Sequence, residues 1–352
     1  MTKYIVEDGF SKINKTGIGQ YTIMLENILA NLKLETIIIN KNLLEKIKNR
    51  TIRRLFYLIW LNTIFLIKLL YINKPITVFF TNFTVPTIKL PNVKYISVIH
   101  DLCPFKYPEF SSKIINKYEK SNIVNALKKS DLIITVSKTV KKELVEIFNL
   151  DENKIYVVYN TIPSCFFKTN VNDSILKKYN IEPKKYILSV ATLNKRKNIP
   201  LLISVFNEIS KKCQDVKLVL IGGMGSEDKK RIMQDNENII FTGYIKDEYM
   251  PIFYKNALLY VYPSIYEGFG IPILEAQYSN IPLLCTNIDV FKEIAGSGAK
   301  YCNLDSIDMI DKIQILLQNP SQINELLKEE KQNINKFFIN SIIKQLMGVI
   351  NV

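Results

Sequence analysis

Several residue types are scarce in this chain, and each shortage narrows what it does. There is one histidine, His100, and one tryptophan, Trp60. Arginine occurs five times within a Lys and Arg total of 47. Three of the five, Arg50, Arg53 and Arg54, fall within five residues; the others are Arg196 and Arg231. The five cysteines (Cys103, Cys165, Cys213, Cys285 and Cys302) are widely spaced and form no CxxC pair. That pattern argues against a disulfide framework or a zinc site and for a reducing compartment. The start, MTKYIVEDGF, lacks a charged leader followed by an apolar run, so no secretion signal is expected. No internal repeat, low-complexity segment or nucleic-acid-binding module is visible.

What is present describes a globular chain. Hydrophobic residues make up 47% and charged residues 23%, enough for real cores. At roughly 100–200 residues per domain, 352 residues imply two domains. The net charge of +14 attracts nucleic acid, lipid headgroups or phosphorylated substrates. Part of that charge also follows from a Lys-, Ile- and Asn-rich composition of the kind AT-rich genomes produce.

Short apolar runs alternate with longer helical patterns. The first half is expected to hold strands at Tyr4–Val6, Thr36–Ile39, Thr77–Phe80, Tyr95–Ile99, Leu132–Val136 and Ile155–Val158. The second half is expected to hold Tyr186–Val190, Lys217–Ile221, Ile239–Phe241, Leu259–Tyr262 and Leu283–Cys285. Runs that are apolar throughout, separated by helices, read as parallel sheets covered on both faces. The stretch NTIPSCFFKTNVND, residues 160–173, has no clear period and reads as a linker. One doubly wound α/β domain is expected on each side, with ligands at the carboxyl ends of the strands. Two such domains facing each other would enclose a cleft.

Residues 53–73, RRLFYLIWLNTIFLIKLLYIN, form the longest apolar run. Asn62 and Lys68 interrupt it, and its upstream flank is basic. A helix lying in a membrane interface is the favoured reading, ahead of a buried crossover helix and a membrane span.

The chemistry concentrates in the second half. In YEGFGIPILEA, residues 266–276, Glu267 and Glu275 flank a tight glycine turn that should open a helix at Gly270 or Ile271. Pro272 suits a first helical turn. Backbone N–H groups and the positive dipole end there form a natural diphosphate site, and the two carboxylates suit sugar and ribose hydroxyls. In VATLNKRKN, residues 190–198, Arg196 and Lys197 follow an apolar strand and precede a helix. That position suits charge-assisted binding of diphosphate oxygens.

Together these motifs resemble glycosyltransferase family four, the large retaining GT-B family. The likeness is most specific over residues 186–300. It implies a GT-B fold of two facing Rossmann-like domains with a central cleft. Residues 1–160 would bind the acceptor, and residues 174–332 would bind a nucleotide sugar. The ending KFFINSIIKQL, within residues 333–352, resembles the family's helix that crosses back to the first domain. The resemblance implies that Glu267 contacts the transferred sugar and Glu275 the ribose. It implies that Phe269, Gly270 and Ile271 offer backbone N–H groups, and that Arg196 and Lys197 neutralise the leaving diphosphate. Residues 241–257 are similar to the family's base-binding loop, with Tyr244 and Ile245 holding the base. LVLIGGMG, residues 218–225, matches its glycine-ended strand.

In the first half, TGIGQYT places Gly17 and Gly19 at the start of a helix after a short strand. No third glycine follows at the dinucleotide spacing. The loop is similar to the family's donor-diphosphate loop, but Gln20 stands where arginine is common. His100 ends an apolar strand and is followed by Asp101. A lone histidine is more often structural. The resemblance makes it a donor-sugar contact that Asp101 orients.

The resemblance implies hexose transfer with retention by internal return; the residues offer no protein nucleophile in a convincing context and no DxD-type metal site. Asp305, Asp308 and Asp311 read as a solvated helix face. GDP-mannose is the favoured donor, rhamnose transfer a further option, and a polyprenyl-linked glycan the expected acceptor. No nucleic-acid partner is expected. The enzyme is placed in the cytoplasm, peripheral to the membrane through residues 50–73, in capsule or O-antigen assembly. A sugar-nucleotide epimerase on the same fold would need its own proton-transfer groups, which one histidine makes harder. A non-catalytic sugar-binding subunit would not need intact Arg196, Lys197, Glu267 and Glu275.

Overall fold

The computed structural model describes residues 2–10, 17–39, 42–168, 173–223 and 236–351. Thr16, Arg231, part of the expected linker and the end of LVLIGGMG lie outside the described residues. The chain divides into two compact units, Met1–Asn160 with Ile342–Val352, and Thr161–Ser341. Residues 161–173 and 333–341 thus fall in the second unit.

Unit 1 carries a five-stranded parallel sheet: β1 (Lys3–Glu7), β2 (Ile76–Phe80), β3 (Val93–Ile99), β4 (Leu132–Thr135) and β5 (Ile155–Val157), in that order. Every residue of β2 and β4 is buried, as expected of strands covered on both faces. The chain leaves β1 towards Thr36, which forms a single parallel bridge to Tyr4, and returns on the other side as β2. The connection therefore reverses at β1, and such a reversal opens a crevice at the strand's carboxyl end. The expected strand Thr36–Ile39 reduces to that bridge. Ile37 N–H donates to the Tyr4 carbonyl at 2.8 Å, but the next residue, Ile38, is 91% exposed and has nothing to pack on.

Helix α1 (Gly17–Asn31) buries Tyr21, Met24, Leu25, Ile28 and Leu29, spaced three and four apart as an amphipathic helix requires. The apolar run splits into α2 (Arg50–Asn62) and α3 (Ile64–Leu70), which break at Thr63. Among the described residues no helix is long and apolar enough to cross a membrane. One face of the pair enters the core: Trp60 stacks with Tyr57, 6.1 Å between ring centroids, and packs on Phe65 at 5.4 Å. Trp60 is therefore a core residue. The opposite face, with Leu55, Phe56, Ile59, Ile64 and Ile67, is exposed. The core reading thus holds for the inner side of these helices, and the outer side is exposed. Helix α4 (Lys113–Lys129) precedes β4.

Unit 2 carries a six-stranded parallel sheet ordered β11-β10-β9-β6-β7-β8. Its strands are β6 (Tyr186–Val190), β7 (Lys217–Ile221), β8 (Ile239–Gly243), β9 (Leu259–Tyr262), β10 (Leu283–Thr286) and β11 (Lys300–Cys302). β11 is short and begins on a charged residue, so no apolar run announces it. The chain runs from β6 outward to β8, then returns to the other side of β6 as β9. This is the switch point of unit 2. Gly222, just past β7, is required by close approach. A Cβ there would lie 2.0 Å from the Ala191 carbonyl oxygen. Helices α5 (Ile199–Ser210), α6 (Ile271–Tyr278) and α7 (Pro320–Asn333) flank the sheet. Helix α8 (Ile339–Ile350) begins in unit 2, and its residues from Ile342 onward belong to unit 1. There the Gln345 side-chain oxygen accepts from Tyr159 N–H at 2.9 Å.

Candidate active site

The two strongest motifs follow β6 and β9, the neighbouring strands at the switch point of unit 2. After β6, the Asn194 side chain accepts from Lys197 N–H at 3.1 Å and shapes a single 3₁₀ turn, Lys195–Lys197. The turn is tied to the β9 loop by Ile265 N–H donating to the Arg196 carbonyl at 2.8 Å. These backbone bonds aim both cations at Glu267. Arg196 donates to Glu267 Oε2 at 3.1 Å, and Lys197 Nζ donates to Glu267 Oε1. Lys197 also donates to the Tyr262 hydroxyl at 2.9 Å and lies 5.1 Å from the centre of that ring. Burial pushes the Glu267 pKa up, but Arg196 and then Lys197 outweigh it and hold the carboxyl below its ordinary value. Glu267 is thus a buried anion with a cation on each oxygen.

The glycine turn then opens α6. Gly270 stands at its N-cap with φ +104, a conformation that favours glycine, and the helix start has no side-chain cap. A Cβ on Gly270 would meet Ile273 and Phe291 at 3.1 Å. Gly270→Ala is expected to lower stability by about 1–3 kcal/mol, read as a lower urea midpoint. Phe269, just before, is buried against the edge of Phe337.

Glu275 lies inside α6 and accepts from the Tyr254 hydroxyl at 2.6 Å. Burial pushes its pKa up, the Tyr254 bond pulls it part of the way back, and the Asp247 charge raises it further, to about 7. Asp247 belongs to the loop after β8, so that loop lies near enough to act on Glu275. The same loop carries Tyr244, which is exposed and donates to Asp247 at 3.2 Å, and Ile245, which is buried.

In unit 1, the carboxyl edge carries Glu7 at the end of β1, Thr81 after β2 and His100 after β3. His100 Nε2 lies 2.7 Å from the Thr81 carbonyl oxygen. A carbonyl only accepts, so Nε2 carries the proton and Nδ1 is left as an acceptor in the neutral ring. Burial lowers the His100 pKa, and the Thr81 carbonyl and Asp101 offset this only in part. The ring is therefore neutral at pH 7 and suited to a hydroxyl rather than to a phosphate. Asp101 accepts from Cys103 N–H at 3.0 Å. Tyr21 of α1 meets the imidazole edge-on at 5.3 Å. Gly17 begins α1 and is exposed, while Gly19 is buried.

Unit 2 thus brings Arg196, Lys197 and Glu267 into direct contact, with Glu275 and the glycine turn on the adjoining helix. Tyr262, Tyr254, Asn194 and Thr81 were not singled out from the sequence. Tyr262 offered a signal, a hydroxyl at the tip of an apolar strand. Tyr254 offered none, because its partner Glu275 is distant in the chain.

Two parallel α/β sheets, with a cation pair, a carboxylate and a glycine-started helix at the switch point of the second, are the elements of the GT-B class of fold. Residues 171–336 match the family described as glycosyl transferases group 1, and residues 29–164 match glycosyltransferase family 4. The chain is 30% identical over 275 residues to the O-antigen chain mannosyltransferase RfbU of Salmonella typhimurium, covering 76% of this chain and 71% of that protein. It is 28% identical over 235 residues to O-antigen chain mannosyltransferase B of Escherichia coli, covering 64% of this chain and 62% of that protein. Among solved structures it is similar in fold to WaaG, a glycosyltransferase involved in lipopolysaccharide biosynthesis. The TM-score is 0.72 at 13% identity, over 99% of both chains. HepE of Anabaena, solved with UDP and glucose, gives a TM-score of 0.71 at 12% identity over 99% of both chains. The chain belongs to glycosyltransferase family 4.

Proposed function

We propose that the protein transfers a hexose from a nucleotide sugar to a lipid-linked glycan during assembly of a bacterial cell-surface polysaccharide. The donor sugar is mannose, carried by GDP, with rhamnose the second choice. The observation that carries this reading is the Arg196–Lys197–Glu267 cluster beside the start of α6. Two cations and a helix amino terminus at one strand edge are what a sugar diphosphate needs. The mannose assignment is supported by the O-antigen mannosyltransferases among the relatives.

In this reading, Glu275 and the loop of Tyr244 and Ile245 take the nucleoside, and Glu267 takes the sugar hydroxyls. The bond between the anomeric carbon and the diphosphate oxygen breaks as the acceptor oxygen bonds to that carbon on the same face. The acceptor proton passes to the departing diphosphate. This path retains configuration without a protein nucleophile. Glu267 is a poor nucleophile here, since both its oxygens already face cations. Arg196, Lys197 and α6 supply the positive potential, so no metal takes part. His100 accepts from a hydroxyl through Nδ1. The exposed apolar face of α2 and α3, with its basic flank, holds the enzyme on the inner face of the cell membrane.

Titrating the purified chain with a panel of nucleotide sugars tests this. GDP-mannose is expected to bind selectively and equally well with EDTA present, and NMR is expected to show a product of unchanged anomeric configuration. A folded protein that binds no nucleotide sugar would overturn the reading.

A further inference from the structure

The region between Glu45 and Asp101 has an unusual charge pattern. It holds nine Lys and Arg residues and no Asp or Glu. Within it, α2 and α3 expose a ridge of Ile52, Leu55, Phe56, Ile59, Ile64 and Ile67. These positions recur at helical spacing on the side opposite Tyr57, Trp60 and Phe65. An apolar ridge in a stretch without anions fits an amphiphile with an anionic head.

Two side chains at the amino-terminal end of the ridge make the fit more specific. The Arg53 guanidinium lies over the Phe10 ring at 5.2 Å, and the Arg54 guanidinium over the Tyr118 ring of α4 at 5.7 Å. Among the described residues neither has a carboxylate partner. A guanidinium drawn to a ring face and not paired with a carboxylate suits bidentate binding of phosphate oxygens. A lysine drawn only to a charged surface needs no such clamp.

Position adds a third argument. Phe10 lies three residues past Glu7, the last residue of β1. The Tyr57 hydroxyl of α2 donates to Glu7 Oε1 at 3.2 Å, and Gly9 N–H donates to the same oxygen at 3.0 Å. The Thr81 hydroxyl donates to the Glu7 carbonyl at 3.3 Å, and the Thr81 carbonyl holds His100. Arg53, over Phe10, therefore stands where the apolar ridge meets the strand edge that carries Glu7, with Arg54 beside it in the chain.

We propose that Arg53 and Arg54 form the subsite for the diphosphate of a lipid-linked acceptor, whose isoprenoid chain lies along the ridge of α2 and α3. This rests on the lipid-linked acceptor named above and assigns its head and tail to residues. The glycan then extends from the arginines towards the β1–β3 edge of unit 1.

Farnesyl diphosphate is a soluble probe, with farnesol and inorganic diphosphate as its two parts. The full-length chain is expected to bind farnesyl diphosphate about tenfold or more tightly than either part. Arg53→Gln with Arg54→Gln should weaken that binding by about tenfold or more, as loss of charge-assisted bonds does. Lys46→Gln with Lys48→Gln removes the same charge nearby and should weaken it by less than about threefold. Phosphatidylglycerol vesicles, which sense total charge, should release both double variants alike. Equal losses of farnesyl diphosphate from the two double variants would reduce the arginines to diffuse charge and overturn the subsite, as would no loss from the arginine pair. GDP-mannose binding is measured alongside. Its retention in every variant shows that the fold is intact. Its absence from the wild type would overturn the donor reading without touching this one.

Discussion

Lys197→Ala is expected to lower kcat/KM for the donor by about 10²–10³-fold, the loss of roughly 3–4 kcal/mol of transition-state stabilisation that removal of one preorganised electrostatic contact causes. The size follows from how the ammonium is held. It is only 13% exposed and is fixed by the Tyr262 hydroxyl, the Tyr262 ring and Glu267. A charge held this way needs no reorganisation as negative charge grows on the leaving diphosphate. Arg196, 3.1 Å from Glu267, is left in place by the substitution, so the site is expected to keep one cation and some activity.

The same change has a pH signature. Glu267 is held below its ordinary pKa in the folded protein. Its contribution to stability is therefore present above the unfolded pKa and is lost as pH falls through the folded one. Without Lys197 that depression shrinks. The variant should be less stable than wild type at pH 7, and the gap should close in acid, where Glu267 is protonated in both. Steady-state kinetics with urea midpoints across pH measure both effects. A kcat/KM within about threefold of wild type would remove Lys197 from the mechanism.

Glu275→Gln is expected to act in opposite directions on stability and on binding. The Glu275 carboxyl titrates at about 7 in the folded chain against an ordinary 4.5. A raised carboxyl contributes full stability below the unfolded pKa and loses it as pH rises through the folded value. Each tenfold in proton affinity is about 1.4 kcal/mol, so holding this carboxylate ionised above pH 7 costs the fold up to about 3 kcal/mol. Glutamine removes the charge and keeps an oxygen for the Tyr254 hydroxyl. The variant should gain stability of that order at pH 8 and little at pH 4.

Donor affinity should move the other way. An ionised carboxylate accepts from both ribose hydroxyls, whereas an amide has a single acceptor oxygen. A loss of about 1.5–3 kcal/mol is expected, roughly ten- to a hundredfold in Kd. For the same reason wild-type donor affinity should rise with pH through about 7. Urea unfolding and donor titration at pH 5 and pH 8 separate the two effects. A variant less stable than wild type at pH 8 would show that the ionised carboxylate carries no such penalty.

Much of this was legible in the chain. Parallel strands buried on both faces are apolar throughout, so β2, β6, β7 and β9 announce themselves without neighbours. The glycine turn with Pro272 marks a helix start because few other residues tolerate that backbone. Thr36–Ile39 is as apolar as a strand, yet it makes one bridge, because strand formation needs a partner and a covering layer as well as a pattern. β11 is three residues long and gains its strand character from β10. In residues 53–73, apolar residues surround the helix axis almost completely, so periodicity cannot say which face is core. Packing of Trp60 on Phe65 decides it and leaves Phe56 and Ile59 outside.

The sequence by itself determined the α/β class, most of the strands and the glycine-started helix with its neighbouring charged side chains, because these depend on local pattern and backbone chemistry. Only the tertiary structure decided that Glu267 lies between Arg196 and Lys197, that Tyr254 bonds to Glu275, and that Arg53 rests on Phe10. Each of these joins residues from 21 to 71 positions apart. Such contacts arise when crossover connections bring strand ends together, and the pKa values and charge balance that make the site chemical arise with them.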